Sequence, residues 1–194
     1  MRLIVTKFGG TSVGTIDRIK SVAKRIKKEV DNGYNVIVVV SAMSGETNRL
    51  IKLVKSLTNN YRTSEYDTVV SSGEQVTSGL VAIALNELGI KSKSYQSWQI
   101  QFETDNNFTK ANIESIKKDN ISSDLKEGYV IVVSGFQGIH KNRTTTLGRG
   151  GSDTSAVALA ATFGAERCDI YTDVDGVYTA DPRLVANALK LETI

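Results

Sequence analysis

Leu3-Ile4-Val5-Thr6-Lys7-Phe8 runs straight into Gly9-Gly10-Thr11-Ser12, and this junction decides how the rest of the chain is read. The first six residues predict a buried strand, because β-branched and aromatic side chains fit a pleated, covered surface. Beyond the glycines, from about Asp17 to Asn32, Ile19, Val22, Ala23, Ile26 and Val30 share one face of a 3.6-residue period. A helix is expected there, stopped at Gly33. Val36 to Val40 is an unbroken β-branched run, the pattern of a strand covered on both faces of a parallel sheet. Together these segments form a βαβ unit.

The alternation continues outward from that unit. Ser41 to Asn48 is turn-rich and leads into a helix carrying Leu50, Ile51, Leu53, Val54 and Leu57, and a further helix is expected over Val69 to Leu88. Lys91 to Trp98 reads as a strand, whereas Thr104 to Asn112 is polar and follows no period. Tyr129 to Val133 is a central strand, and Ser134 to Gly151, rich in glycine and threonine, is a loop or hairpin. Ser152 to Phe163 is a helix with Ser152 or Asp153 as its N-cap, followed by Gly164 and a strand over Cys168 to Thr172. Strands alternating with helices predict an α/β fold, a three-layer α/β/α sandwich around a mostly parallel central sheet. Ligands in such folds gather at the carboxyl ends of the strands, where the polar and glycine-rich segments fall.

The totals set the class. A chain of 194 residues that is 40% hydrophobic suits one domain with a sizeable core. Its 24 basic and 21 acidic residues leave a net charge of +3, which makes no case for a nucleic-acid partner. Arg18, Lys20, Lys24, Arg25, Lys27 and Lys28 form the densest basic set and read as a solvated helix face. Cys168, a lone cysteine, excludes an intramolecular disulfide and a cysteine-rich metal site and fits a reducing compartment. The amino end lacks a signal-peptide core, and no apolar run is long enough to cross a bilayer. A cytoplasmic protein without a membrane partner is expected.

Three loops carry chemistry. Lys7 to Ser12 offers a cation, close-approaching amides and hydroxyls, as a phosphate cradle requires. It is not a Walker A loop, since Thr15 stands where that motif needs lysine. Leu147-Gly148-Arg149-Gly150-Gly151-Ser152-Asp153 puts an arginine and free amides just before a helix, where an anion is favoured and a carboxylate can be clamped by two bonds. Thr172-Asp173-Val174-Asp175-Gly176-Val177-Tyr178-Thr179-Ala180-Asp181-Pro182-Arg183 fails the EF-hand spacing for want of the later glutamate, and its mixture of small, aromatic and charged groups suits a nucleotide. Two anion sites on one α/β sheet point to phosphoryl transfer. A carboxylate acceptor, with a reference pKa of about 4, is already ionised and needs no general base. The one histidine, His140, is read as a loop residue.

With those motifs in view, the chain resembles the aspartate kinases of the amino acid kinase superfamily. The resemblance rests on six segments in the family's order: Lys7 to Gly14, Val39 to Asn48, Ser72-Gly73-Glu74-Gln75, Gly135-Phe136-Gln137-Gly138, Thr145 to Thr154, and Thr172 to Tyr178. It implies ATP-dependent phosphorylation of the side-chain carboxylate of L-aspartate to 4-phospho-L-aspartate, the first step of lysine, threonine and methionine biosynthesis, with Mg²⁺ carried by the ATP phosphates and no protein metal ligand. Lys7 and Asp153 are then the expected catalytic pair. Thr47, Glu74, Arg149, Gly150, Gly151 and Ser152 are expected on the amino acid, and Lys7, Phe8, Gly9, Gly10, Ser41, Thr172, Asp173, Tyr178 and Arg183 on the nucleotide. Residue by residue, the alternatives are that Ser41 and Thr47 merely cap turns or helices and that Glu74 is a surface carboxylate. Trp98-Gln99-Ile100-Gln101-Phe102 departs from the small residues that usually surround the family's glutamine. Family members also continue further and carry ACT regulatory domains. Residues 1–194 are therefore expected to be an amino acid kinase domain incomplete at its carboxyl end, a homo-oligomer or the partner of a longer kinase chain. The competing reading is a weakly active or non-catalytic copy that binds nucleotide.

Overall fold

The structure, a computed structural model, describes residues 2–61, 63–173, 176, 179–180, 185 and 187–191. Its first half follows the sequence reading closely: β1 (Leu3–Phe8), α1 (Ile16–Asp31), β2 (Asn35–Val40) and α2 (Glu46–Leu57). Thr15 caps α1 by accepting from the Arg18 amide at 3.3 Å, and Gly33 ends it at φ 83. Then come α3 (Ser64–Val70), α4 (Ser72–Glu87), β3 (Ser92–Tyr95), the short α5 (Ser97–Ile100), β4 (Phe102–Thr104), β5 (Ile113–Ile116) and α6 (Asp119–Lys126). The remainder is β6 (Val130–Ser134), β7 (Gln137–His140), β8 (Arg143–Thr146), α7 (Gly151–Phe163) and β9 (Arg167–Tyr171).

Five parallel strands in the order β3-β6-β2-β1-β9 make the central sheet. Side chains alternate between its faces, as strand geometry requires. Ile4, Phe8, Val36, Val38, Val40 and Val132 pack beneath α1 and α4, while Leu3, Val5, Ile37, Val39, Ile131 and Val133 pack with α6 and α7. The predicted α/β sandwich with a mostly parallel sheet is the observed one.

The middle of the chain departs from expectation in four ways. The helix expected over Val69 to Leu88 is two helices, α3 and α4, broken at Ser71, whose carbonyl oxygen accepts from the buried Gln137 side-chain amide at 3.0 Å. The strand expected to reach Trp98 stops at Tyr95, and Ser97 begins a helical turn closed by a Gln96–Gln99 capping box. A second sheet, ordered β5-β4-β7-β8, was not foreseen, and neither was α6. His140 is no loop residue; it closes β7, its Nδ1 lying 2.9 Å from the Thr104 carbonyl oxygen. The Ser134–Gly151 stretch is the hairpin of β7 and β8, turned at Lys141 and Asn142, both with positive φ as a two-residue hairpin turn demands.

Candidate active site

Alternation along β1 decides where its lysine goes. Lys7 shares the parity of Leu3 and Val5, so it projects toward α7, and its Nζ meets Asp153 Oδ1 at 2.6 Å with the lysine only 8% exposed. Asp153 is the third residue of α7 and lies in its first turn. Neither Ser152 nor Asp153 caps that helix, contrary to expectation. Gly150 occupies the N-cap position in the left-handed region at φ 76, with no side-chain cap bond, and the Asp153 carboxylate faces Lys7 instead.

The glycine loop after β1 sits tightly against the loop after β2. A Cβ on Gly10 would lie 2.8 Å from the Ala42 carbonyl oxygen, and the Ser44 amide donates to the Gly10 carbonyl at 3.1 Å. Any side chain at residue 10 would push these loops apart. Between them and the start of α7 is a pocket of about 360 Å³. Its wall brings together Lys7, Gly10, Ser41, Thr47 and Glu74 with the run from Arg149 to Asp153. Thr47 lies inside α2 and Gly45 holds that helix's N-cap position, so Thr47 is not a cap.

Glu74 is 3% exposed, which excludes a surface carboxylate. Its Oε1 accepts from the Ala42 amide at 3.0 Å, whereas its buried Oε2 has no hydrogen-bond partner. Burial outweighs the bonds from the Ala42 and Glu74 amides and pushes its pKa up to about 7. An unpartnered buried carboxyl oxygen on a pocket wall is ready for a cation or a hydrogen-bond donor.

Other expected residues lie elsewhere. Phe8 is a core residue, 2% exposed, its ring stacked on Tyr171 with centroids 4.7 Å apart. Gly9 donates its amide to the Tyr171 carbonyl at 3.1 Å and does not line the pocket. Thr172 and Asp173 line a separate groove of about 590 Å³ on the α1 side of β9, with Phe8, Thr11 and Ser12. Arg18, Lys24, Arg25 and Lys28 also border this groove, and the Arg25 guanidinium lies 4.4 Å from the Tyr171 ring centroid. The basic face of α1 is therefore partly engaged rather than wholly solvated. Tyr178 and Arg183 lie outside the described residues. Among residues given no role in the sequence reading, Met43, Ser44, Phe136 and Gly148 join the pocket wall. Phe136 adopts φ 69, unusual for a bulky residue, and donates its amide to Ser155 Oγ at 3.1 Å. Its neighbours in Gly135-Phe136-Gln137-Gly138 were the available signal.

A tight glycine loop, a lysine at its base and an arginine before the facing helix coincide with a match to the amino acid kinase family model over residues 2–194. The chain belongs to the amino acid kinase family. This amino acid kinase chain is 55% identical over 195 residues to an aspartate kinase of Stutzerimonas stutzeri, covering all of this chain and 47% of that protein. It is 54% identical over 198 residues to an aspartokinase of Rickettsia felis, covering 49% of it. Among solved structures, the aspartate kinase of Synechocystis aligns with TM-score 0.80 at 48% identity, over 96% of this chain and 31% of that one. Aspartokinase III of E. coli in complex with aspartate and ADP aligns with TM-score 0.82 at 28% identity, over 98% of this chain and 53% of that one. The chain thus spans about half the length of the curated relatives it matches. Among the described residues no helix is long and apolar enough to cross a membrane.

Proposed function

We propose that this chain carries the amino-acid site and the phosphoryl-transfer centre of an ATP-dependent aspartate kinase. The observation that carries the reading is the convergence, in one pocket, of Lys7 paired with Asp153, Arg149 at the start of α7, and Glu74 with a free buried oxygen. In this assignment the substrate's ammonium group takes Glu74 Oε2, which draws the buried carboxyl into its charged form. Its α-carboxylate takes Arg149, and its side-chain carboxylate faces Lys7. One oxygen of that carboxylate attacks the γ-phosphorus of ATP, the bond from phosphorus to the β,γ-bridging oxygen breaks, and ADP leaves. No proton moves, because the acceptor is already ionised. The obstacle is repulsion between two anions, and Lys7, held by Asp153, lowers it where charge develops. Gly10, Gly150 and Ser152 border the same space, and their amides complete the cradle, whereas the Gly151 amide is spent on the Gly148 carbonyl at 3.1 Å.

We infer that Mg²⁺ arrives on the ATP phosphates, where it neutralises their charge. Thr172, Asp173, Tyr178 and Arg183 remain the assigned nucleotide residues, and Ser41 the one nearest the phosphates within the pocket. Residues 1–194 belong to an amino acid kinase domain, lysine, threonine and methionine biosynthesis is the setting that fits an aspartate kinase, and a cytoplasmic oligomer is the form we propose for it. Trapping the acyl phosphate with hydroxylamine tests the reading. Hydroxamate should form with ATP and L-aspartate and not with glutamate, N-acetylglutamate, carbamate or UMP. Nucleotide and aspartate binding without any hydroxamate would favour the competing reading of a non-catalytic copy.

A further inference from the structure

Beside the pocket of Lys7 lies a second chamber of about 370 Å³, and the two share Thr47, Phe136, Gly148 and Arg149 as a common wall. Tyr61, Tyr66 and Lys110 are among the residues that line the rest of it. Lys110 comes from the polar 104–112 stretch, whose sequence pattern suggested no role. The backbone there is held in an unfavourable form: Thr109, β-branched, sits at φ 71, which costs on the order of 1 kcal/mol or more. Asp67, with no exposed surface, holds it in place by accepting from the Thr109 amide at 2.9 Å. The same carboxylate accepts from the Thr146 amide at 3.0 Å and from the Thr146 hydroxyl at 2.7 Å. On the other side of Lys110, the Ala111 amide donates to the Thr146 carbonyl at 2.9 Å.

The loop is thus tied, before and after Lys110, to the end of β8, just ahead of Arg149. The lysine stem runs beside Gly148, where an added Cβ would lie 3.6 Å from Lys110 Cγ. Neither Lys110 nor Arg149 has an ion-pair partner within 4.0 Å among the described residues. Two unpaired cations held on neighbouring stretches of backbone, bordering one chamber, are arranged to receive an anion between them.

The geometry points to Lys110 as a second cation for the substrate's α-carboxylate, shared with Arg149 where the two chambers meet. This rests on the reading of the pocket as an amino-acid site. Arginine supplies the paired planar contacts and lysine a point charge. A ligand with a neutral group in place of the α-carboxylate gains nothing from Lys110. The inference therefore concerns selection of a free amino acid and leaves the transferring phosphate to Lys7.

Titration calorimetry on the chain with L-aspartate, and with the α-amide of aspartate, separates the possibilities. Lys110→Met should weaken aspartate binding roughly tenfold or more, the usual size of a hydrogen bond to a charged group. It should leave binding of the α-amide and of ATP unchanged, with the melting temperature preserved, and Lys110→Arg should restore most of the aspartate affinity. Equal aspartate affinity in Lys110→Met and the parent chain would overturn the inference and leave the functional reading intact. So would an equal loss for aspartate and its α-amide, which would trace the effect to loop packing rather than charge. A parent chain that binds no aspartate would overturn both.

Discussion

In the five-stranded sheet, β2 buries five consecutive β-branched residues, whereas the four-stranded sheet buries Thr104, Gln137, Thr145 and Thr146. The first is held by apolar contact on both faces. The second joins the core through Phe102 and adds directed bonds: Thr104 Oγ1 to Thr145 Oγ1 at 2.7 Å, Gln137 to the Ser71 carbonyl at 3.0 Å, and Asp67 to Thr146. Apolar burial is non-directional and gives a stable platform from which a strand end can present Lys7. Hydrogen bonds are directional, and an unmade one in a buried place is costly, so they fix the position of the segments they join. The loops that reach into the pocket hang from both: the glycine loop from the parallel sheet, the Arg149 loop from the hairpin.

The sharpest way to break this comparison is to empty the platform of its charge. Lys7→Met should cut phosphoryl transfer by roughly 10²- to 10³-fold, the usual loss for one preorganised electrostatic group, with the circular dichroism spectrum unchanged. A variant that retains hydroxamate formation would remove Lys7 from the chemistry.

A second test is a pair that separates stability from positioning. Ile37→Ala in β2, where Ile37 has no exposed surface, should cost about 4 kcal/mol of unfolding free energy while leaving aspartate affinity in the surviving folded fraction as it was. Asp67→Asn should cost less, about 1–2 kcal/mol, and yet weaken aspartate binding, because it loosens Thr109 and Thr146 together. Denaturant melts read beside calorimetry would show the two effects crossing. If both variants moved only stability, the polar ties would have no role in placing the site.

The third is a pH effect at Glu74, confined to the ligand-free chain. Its carboxyl is raised from 4.5 to about 7 in the fold, so folded protein holds this proton more tightly than unfolded chain does. The burden of burying the charged form is absent below about pH 4.5, grows as pH rises, and is complete above about pH 7, where it reaches about 3 kcal/mol. Glu74→Gln should therefore stabilise the ligand-free chain at pH 8 and not at pH 4, read from urea melts at the two pH values. An equal gain at both would mean that charge is not the cause.

Much of the platform was legible. The βαβ opening, with α1 within one residue of its expected limits, follows from hydrophobic period alone, because buried parallel strands and an amphipathic helix both write their burial into the sequence. The candidate site was legible as motifs, and Lys7, Arg149 and Asp153 do meet in one pocket. Ser71 shows what was not legible: the break between α3 and α4 depends on Gln137, 66 residues away, taking a carbonyl that local pattern leaves to the helix. Gly150 shows the same at closer range, since Ser152 and Asp153 are good caps by type, but the pairing of Asp153 with Lys7 lies across the fold.

By itself, then, the sequence determined the parallel platform, the parity that sends Lys7 to one face of it, and the glycine loops that let backbone approach closely. These depend on period, side-chain size and backbone freedom, which are local. Tertiary structure alone decided that Glu74 is buried with one oxygen unpaired, that Phe8 belongs to the core, and that the polar loop of Lys110 is tied beside Arg149. Each of these depends on which distant donors and apolar surfaces surround a group, and the free energy of a buried charge or a polar contact is set by those surroundings rather than by its own residue type.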